Sequence, residues 1–343
     1  MLLKLAEDLG DEAREQLLRD LANRGLALRP SPDRRRVAVA APAGANKPDA
    51  EELGALAQVD EAEPLASGFK LIARALLGST EVVQVGSHTI GGHELALVAG
   101  PCAVEGDAQL DACAALAQAA GARFLRGGAF KPRTSPYAFQ GMEEEGLRLL
   151  RQAGDRHGLA VVTEVMSTEA VPLVGHYADM LQVGARNMQN FSLLKALGGQ
   201  PHPVLLKRGM AATIEEWLLA AEYIVAHGNP KVVLCERGIR SFDPAMRNVL
   251  DLAAVPLVQS LTYLPVIVDP SHALGRRDAV PAMAAAALAA GADGVMLEVH
   301  PVPHDALCDG AQALTFPDFV RLAERLRRLA PVMGRSLASE VQG

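Results

Sequence analysis

Four side chains that commonly ligate metals end or follow apolar stretches of this 343-residue sequence, namely Cys102, His272, Glu298 and Asp309. A thiolate, an imidazole and two carboxylates make a mixed sulfur, nitrogen and oxygen shell. Such a shell suits a divalent transition ion, here Mn, Fe, Co or Zn, with weak selection among them. Three of the four also have a simpler interpretation: Cys102 as a buried apolar residue, His272 as a hydrogen-bonded core imidazole, and Asp309 as the cap of a turn. The four lie far apart in the sequence, so a common site depends on the fold.

Positive charge is concentrated in LRGGAFKPRTSPYAFQG (125–141), although the whole chain has a net charge of -7. Together with cations that end other apolar stretches, this gives a cationic group: Arg126, Lys131, Arg133, Arg186, Lys207 and Arg237. The guanidinium fork pairs at two points with phosphate or carboxylate. Six cations on one surface would repel each other without a polyanionic ligand, so the group predicts one. Neighbouring glycines, such as Gly184 in QVGAR, let backbone N–H groups approach an anion closely.

The elements that must position these residues begin at residue 95, where short apolar runs alternate with helical segments. Alternation of this kind indicates parallel strands, and eight units in about 250 residues predict a (β/α)₈ barrel over residues 95–335. The runs are LALVAGPC (95–102), ARFLRGG (122–128), LAVVTEVM (159–166), DMLQVGAR (179–186), PVLLKRG (203–209), KVVLCERG (231–238), LPVIVDPSH (264–272) and GVMLEVH (294–300). A doubly wound sheet needs a glycine-rich dinucleotide turn, which GPCAVEGD matches poorly. Barrel active sites lie at the carboxyl ends of the strands, so the polar strand ends are expected to converge there.

Residues 1–66 have a different pattern, strand–helix–strand–strand–helix–strand, which is typical of a ferredoxin-like α+β domain. This segment contains no cluster of acid–base or metal-ligating residues. It is either a packing domain or a regulatory domain that senses a metabolite. Residues 67–94 are interpreted as a linker with a short polar hairpin around SHTIGGHE.

Composition excludes several classes of function. The sequence pI near 5.8 argues against nucleic-acid binding, which usually needs a basic face. No apolar run is long enough to span a membrane, and the N-terminus is too acidic for a signal peptide, so a cytoplasmic location is predicted. The four cysteines are too few and too scattered for a disulfide framework. Cys113 and Cys235 are interpreted as packing residues, whereas Cys308 beside Asp309 is left unassigned.

Several segments resemble one family, 3-deoxy-D-arabino-heptulosonate 7-phosphate (DAHP) synthase of type I beta, which carries an N-terminal ferredoxin-like regulatory domain. They are GPCAVEG, LRGGAFKPRTSPYAFQG, QVGARNMQN, PVLLKRGMAATIEEWLLAAEYI, CERGIRSF, VDPSHALGRRD and EVHPVPHDALCDGAQAL. The resemblance covers residues 95–330, and KPRTSPYAFQG together with VDPSH is highly specific. Over residues 1–66 only the layout is similar.

The resemblance implies metal-dependent condensation of phosphoenolpyruvate with erythrose 4-phosphate, which is the first step of the shikimate route to aromatic amino acids. It implies the metal ligands already named, with Arg126, Lys131 and Lys207 on the phosphoenolpyruvate carboxylate and Arg186, Lys207 and Arg237 on its phosphate. Arg133 and Thr134 would hold the phosphate of the sugar. The substrate-binding set also includes Gly184, Ala185 and Asp269. The catalytic set is Lys131, Cys102 and His272, with Lys131 as a proton donor to the developing alkoxide.

Two alternatives stay open. A sister enzyme makes 3-deoxy-D-manno-octulosonate 8-phosphate from arabinose 5-phosphate; its loop resembles KANRSS, where this chain has KPRTS. The other alternative is a non-catalytic, metabolite-sensing barrel. The resemblance further implies a homotetramer, feedback inhibition by an aromatic amino acid, and association with a chorismate mutase in trans.

Overall fold

The N-terminal segment forms a four-stranded antiparallel sheet with two helices. The computed structural model describes residues 1–131 and 135–338. The elements are β1 (Leu2–Leu5), α1 (Asp11–Asn23), β2 (Ala27–Pro30), β3 (Arg36–Ala40), α2 (Ala50–Gly54) and β4 (Val59–Glu63). The strand order is β2-β3-β1-β4, with every neighbouring pair antiparallel. This order confirms the ferredoxin-like pattern expected from the sequence.

Helix α1 shows why this segment folds as it does. Leu17 and Leu21 lie on one face of the helix and are buried in a small core with the sheet residues Leu3 and Val37. The helix ends before Gly25, whose φ of 78° is a left-handed conformation that glycine adopts without strain.

A connector and a hairpin follow this small sheet. They contain α3 (Arg74–Leu77) and the two strands β5 (Val83–Val85) and β6 (His88–Ile90). Val83, Val85 and Ile90 pack against the apolar side chains that fill the barrel interior, among them Phe124 and Met296. The hairpin therefore covers one end of the barrel with apolar surface. The division of the chain at residues 66 and 94 remains a prediction.

The barrel itself is closed and consists of eight parallel strands, which confirms the predicted fold class. The strands are β7 (Ala96–Gly100), β8 (Phe124–Arg126), β9 (Ala160–Glu164), β10 (Met180–Val183), β11 (Val204–Lys207), β12 (Val232–Glu236), β13 (Val266–Val268) and β14 (Gly294–Glu298). Each lies within one of the eight apolar runs of the sequence. The last residues of β8, β9, β11, β12 and β14 are charged, so charge collects where these strands end.

Helices follow the barrel strands, and most of them lie on the outside of the barrel, whereas a short helix directly after β13 carries His272 at the strand ends. They are α4 (Asp107–Ala119), α5 (Glu143–His157), α6 (Val171–Tyr177), α7 (Phe191–Gly198), α8 (Ile214–Ala226), α9 (Ala254–Leu261), α10 (Pro270–Leu274), α11 (Val280–Ala289) and α12 (Phe316–Leu329). Helix α8 begins with a reciprocal capping box between Thr213 and Glu216. Cys113 and Cys235 are fully buried, as their interpretation as packing residues requires. Within the described residues no helix combines the length and apolarity needed to cross a membrane.

Candidate active site at the carboxyl ends of the strands

A polar cavity of about 360 Å³ opens where the barrel strands end. Its lining comes from the ends of several strands and from the loops that follow them, and more than half of its residues carry ionisable side chains. The lining residues are Arg126, Lys131, Ser135, Ala138, Glu164, Gln182, Gly184, Ala185, Arg186, Lys207, Met210, Arg237, Arg247, His272, Cys308 and Asp309. The fold therefore brings together residues that are up to 183 positions apart in the sequence, as between Arg126 and Asp309.

The four predicted metal ligands converge in this region. One donor atom from each of Cys102, His272, Glu298 and Asp309 lies within 4.8 Å of the others. Cys102 Sγ is 3.4 Å from Asp309 Oδ2, and His272 Nε2 is 2.9 Å from Glu298 Oε1. One sulfur, one nitrogen and two oxygens are a donor set that fits a divalent transition ion.

His272 is held from its other ring nitrogen. His272 Nδ1 lies 2.6 Å from Asp269 Oδ2, and the backbone N–H of His272 donates to Asp269 Oδ1 at 3.0 Å. Burial lowers the pKa of His272, but the carboxylates of Asp269 and Glu298 outweigh it and raise the pKa to about 10. A carboxylate on the outer nitrogen fixes the ring orientation, which leaves Nε2 directed at the other ligands.

Two further groups contact the Cys102 sulfur. Lys131 Nζ is 3.1 Å from Cys102 Sγ and donates to the Cys102 carbonyl at 3.1 Å. Cys308 Sγ is 3.2 Å from Cys102 Sγ. The Cys308 contact and burial together raise the pKa of Cys102 well above its ordinary value. Burial alone would lower the pKa of Lys131, but the neighbouring Cys102 and Cys308 raise it above its ordinary value.

Most of the predicted cationic group lines the same cavity: Arg126, Lys131, Arg186, Lys207 and Arg237. Arg126 is buried, with Nη1 2.5 Å from the Pro101 carbonyl and 3.1 Å from Glu298 Oε1. Lys207 Nζ is 2.5 Å from Asp269 Oδ2. Because Asp269 contacts both Lys207 and His272, it connects the cations to the candidate metal ligands. Burial lowers the pKa of Arg237, which donates from Nη2 to the His272 carbonyl at 3.1 Å.

Other predicted site residues fall into two groups. Gly184 and Ala185 line the cavity, and a Cβ added at Gly184 would lie 2.2 Å from Glu164 Oε1. Arg133 and Thr134 lie outside the described residues. Their assignment to the sugar phosphate stays a prediction, as does the assignment of Asp269 to substrate.

Reasoning from strand ends gave no role to several residues of the cavity. Glu164 ends β9 and accepts from Gln182 Nε2 at 3.3 Å. Arg247 lies in a long loop after β12, with Nη1 3.0 Å from Gln312 Oε1 and 3.6 Å from Asp309 Oδ1. Glu164 had a usable signal, a charge at the end of an apolar strand. Arg247 had no such signal in the sequence, because only the path of its loop brings it to the cavity.

Asp309 adopts an unusual backbone conformation. Its φ is 52°, in the left-handed region, and a Cβ added at the following Gly310 would lie 2.0 Å from the Pro303 carbonyl oxygen. The segment that presents Asp309 therefore makes a turn which accepts few residue types. Gln312 continues the same loop and donates to Glu298 Oε2 at 2.5 Å.

A closed barrel with a charged cavity at the carboxyl ends of its strands defines a class, the (β/α)₈ enzymes. Within that class the chain belongs to the DAHP synthetase I family, whose model matches residues 79–333. A phospho-2-dehydro-3-deoxyheptonate aldolase from Thermotoga maritima is 47% identical over 285 residues, covering 83% of this chain and 84% of the relative.

The chain is also similar to a more distant relative and to two solved structures. A 2-dehydro-3-deoxyphosphooctonate aldolase from Citrifermentans bemidjiense is 31% identical over 75% of this chain and 100% of its own length. The crystal structure of the Thermotoga maritima DAHP synthase matches with a TM-score of 0.78 at 41% identity, covering 98% of both chains. A truncated form of the Thermotoga maritima enzyme matches with a TM-score of 0.73 at 45% identity, over 78% of this chain and 98% of that one.

Proposed function

We propose that this protein condenses phosphoenolpyruvate with erythrose 4-phosphate to give DAHP and phosphate, in a metal-dependent reaction. The observation that carries the proposal is the coincidence of two groups at one cavity: a mixed-donor cluster of candidate metal ligands and six described lysine and arginine side chains. Both proposed substrates are phosphorylated, and one also carries a carboxylate. Family membership and the 47% identical relative support the same reaction.

The candidate ligands Cys102, His272, Glu298 and Asp309 would hold a divalent ion, which when bound supplies Lewis acidity to the aldehyde oxygen. Lys207, Arg186 and Arg237 would bind the phosphate of phosphoenolpyruvate, while Arg126 and Lys131 would bind its carboxylate. Because these cations come from different strands of a rigid barrel, they fix the position of C3 relative to the aldehyde carbon.

The bond changes balance as follows. The C2–C3 π electrons of phosphoenolpyruvate form the new bond to the aldehyde carbon, and the aldehyde oxygen takes a proton. Water adds to the electron-poor C2 and loses one proton, which gives a tetrahedral centre that carries a hydroxyl and the phosphate ester. When the C2–O bond to phosphate breaks, the hydroxyl becomes the C2 carbonyl and its proton leaves with the phosphate. Lys131, beside the Cys102 sulfur, is the candidate proton donor to the aldehyde oxygen. Glu164, whose carboxylate reaches the same cavity, is the candidate acceptor of the proton that the attacking water loses.

The second candidate function is condensation with arabinose 5-phosphate, which the 31% identical phosphooctonate aldolase favours. The difference between 47% and 31% identity supports the four-carbon aldehyde instead. Consumption of phosphoenolpyruvate by the metal-loaded protein should be measured with each aldehyde in parallel. Turnover with erythrose 4-phosphate alone is expected. Preference for arabinose 5-phosphate would replace the proposal with the second function, and no turnover with either would favour a metabolite-sensing barrel.

Regulation belongs to the same proposal. The small N-terminal sheet contacts the barrel through Arg29, which pairs with Glu81 Oε1 at 2.5 Å and lies over the ring of Tyr263. We expect tyrosine or phenylalanine to inhibit turnover through this N-terminal domain of a homotetramer. If neither amino acid changes the rate of turnover, the N-terminal domain would have a role in assembly only. A chorismate mutase partner in trans remains a prediction from family resemblance.

A further inference from the structure

One buried carboxylate, that of Glu236, connects the ends of two strands that present cations to the cavity. Lys207 ends β11 and Arg237 directly follows β12, and both line the cavity. Arg208 follows Lys207, and Glu236 precedes Arg237. Glu236 is fully buried and Arg208 is 4% exposed, so neither is part of the solvated rim.

Glu236 uses both of its carboxylate oxygens. Oε2 accepts from Arg208 Nη1 at 3.0 Å, and Oε1 accepts from the backbone N–H of Gly238 at 2.7 Å. One carboxylate therefore holds the residue after Lys207 and the residue after Arg237. Burial raises the pKa of Glu236, and the adjacent Arg208 opposes that rise.

The surrounding contacts leave Arg208 and Gly238 little freedom. Arg208 donates from Nε to the Ala212 carbonyl at 3.1 Å and from Nη1 to Asp251 Oδ2 at 2.9 Å. Its guanidinium lies 5.9 Å from the ring centroid of Trp217, and the backbone N–H of Arg208 donates to the Cys235 carbonyl at 3.0 Å.

On the other side, Gly238 has a φ of 91°, and a Cβ there would lie 2.8 Å from Asn248 Cβ. The ends of β11 and β12 are thus joined at this carboxylate as well as by the strand pairing that precedes it.

We propose that Glu236 is a positioning residue which sets the separation of Lys207 and Arg237 so that the pair receives one phosphate monoester. The phosphate group would contact the two cations, while Glu236 never touches it. The identity of the phosphate ester as phosphoenolpyruvate rests on the proposed function. The positioning role itself concerns binding and does not require turnover.

The decisive variant is Glu236→Gln, because a carboxamide has a single acceptor oxygen. It can accept from Arg208 or from Gly238, but not from both, while its size is almost unchanged. The dissociation constant of phosphoenolpyruvate, measured by calorimetry on the metal-loaded protein without aldehyde, should rise by about tenfold to a hundredfold, as displaced positioning groups cause. The KM of erythrose 4-phosphate and the dissociation constant of Mn²⁺ should stay within about twofold, since the hydrogen bonds of the Glu236 carboxylate go to Arg208 and Gly238 and to no candidate metal ligand.

Asp293→Asn is a matched control. Asp293 is also a buried carboxylate that accepts from a backbone N–H, that of Val266 at 2.9 Å, and pairs with an arginine, Arg335 at 3.2 Å. It directly precedes β14 and therefore lies at the end of the barrel opposite the cavity. Its replacement should lower the melting temperature without changing the affinity for phosphoenolpyruvate.

A second variant, Arg208→Lys, keeps the positive charge but loses the planar guanidinium, whose Nε and Nη1 reach Ala212, Glu236 and Asp251. It should reproduce the selective loss of phosphoenolpyruvate affinity. Three results would overturn the positioning role. One is an unchanged affinity in Glu236→Gln, and another is an equal weakening of both substrates. The third is failure of both Glu236→Gln and Arg208→Lys to fold while Asp293→Asn folds, which would make Glu236 a folding determinant only. If the wild type binds phosphoenolpyruvate but turns over neither aldehyde, the proposed reaction fails while the positioning role is still decided by these affinities.

Discussion

The role of Lys131 can be separated from that of the other cations by replacing it with methionine. The ammonium group is 3.1 Å from Cys102 Sγ, next to the candidate metal ligands, and therefore close to where the aldehyde oxygen would lie. Five other described cations remain in the cavity wall when Lys131 is removed, namely Arg126, Arg186, Lys207, Arg237 and Arg247. The substrate anions therefore keep most of their partners, while the proposed proton donor is lost.

We expect Lys131→Met to lower kcat by about 10²- to 10⁴-fold, the usual contribution of a positioned general acid. The KM of phosphoenolpyruvate should rise far less than kcat falls, because Arg126 still binds the carboxylate whereas the proton donation of the transition state is lost altogether. Steady-state rates with each substrate varied in turn would measure both quantities. The metal affinity of the variant should be measured separately, because Lys131 also contacts a candidate ligand.

Lys131→Arg sharpens the test, because arginine keeps the charge but does not release a proton near neutral pH. It should be nearly as slow as the methionine variant while binding phosphoenolpyruvate. Lys195→Met, at an exposed lysine of α7 outside this cavity, is the control and should leave both constants unchanged. Equal losses in kcat and in affinity for Lys131→Met, or full activity of Lys131→Arg, would refute the proton-donor role. Lys131 would then contribute only by binding the substrate anion electrostatically.

Three further predictions concern the metal, a buried acid and a glycine. Cys102→Ser should sharply lower the affinity for Mn²⁺ in a direct titration. A lower concentration of chelator should then be enough to abolish its activity. If the wild-type enzyme stays active in excess chelator, the metal assignment is wrong. Glu222 accepts backbone N–H groups of Leu71 and Ile72, and burial raises its pKa, so its ionisation costs stability as the pH rises above its unfolded value near 4.5. The melting temperature of Glu222→Gln, taken relative to that of the wild type, should therefore be higher at pH 7.5 than at pH 4.5, and the opposite order would contradict this sign. Gly184→Ala should weaken phosphoenolpyruvate binding, because its Cβ would collide with the Glu164 carboxylate. An affinity equal to that of the wild type, measured by calorimetry, would contradict this expectation and show that the neighbouring groups move to accommodate the methyl group.

Much of this architecture is readable in the sequence because each barrel strand lies in a short apolar run, and five of the eight strands end in a charged residue. That pattern predicted all eight strands and placed Glu298 and Lys207 at the correct end of the barrel. Convergence of Cys102, His272 and Asp309 followed from barrel closure and not from local spacing. Arg247 and Gln312 could not be predicted in this way, because their position depends on loop paths that no periodicity encodes. The contacts of Glu236 with residues after both β11 and β12 could not be predicted either, because they depend on the register in which these two strands pair.

The left-handed backbone of Asp309 limits how the candidate metal cluster can change over evolution. Among residues with a Cβ, aspartate and asparagine tolerate this conformation best, whereas glutamate, histidine and cysteine would add strain as well as a different reach. A lineage that adapted to another metal would therefore vary Cys102, His272 or Glu298 more readily than Asp309. In a collection of natural relatives, position 309 should accept only aspartate, asparagine or glycine, even where the other three ligands differ.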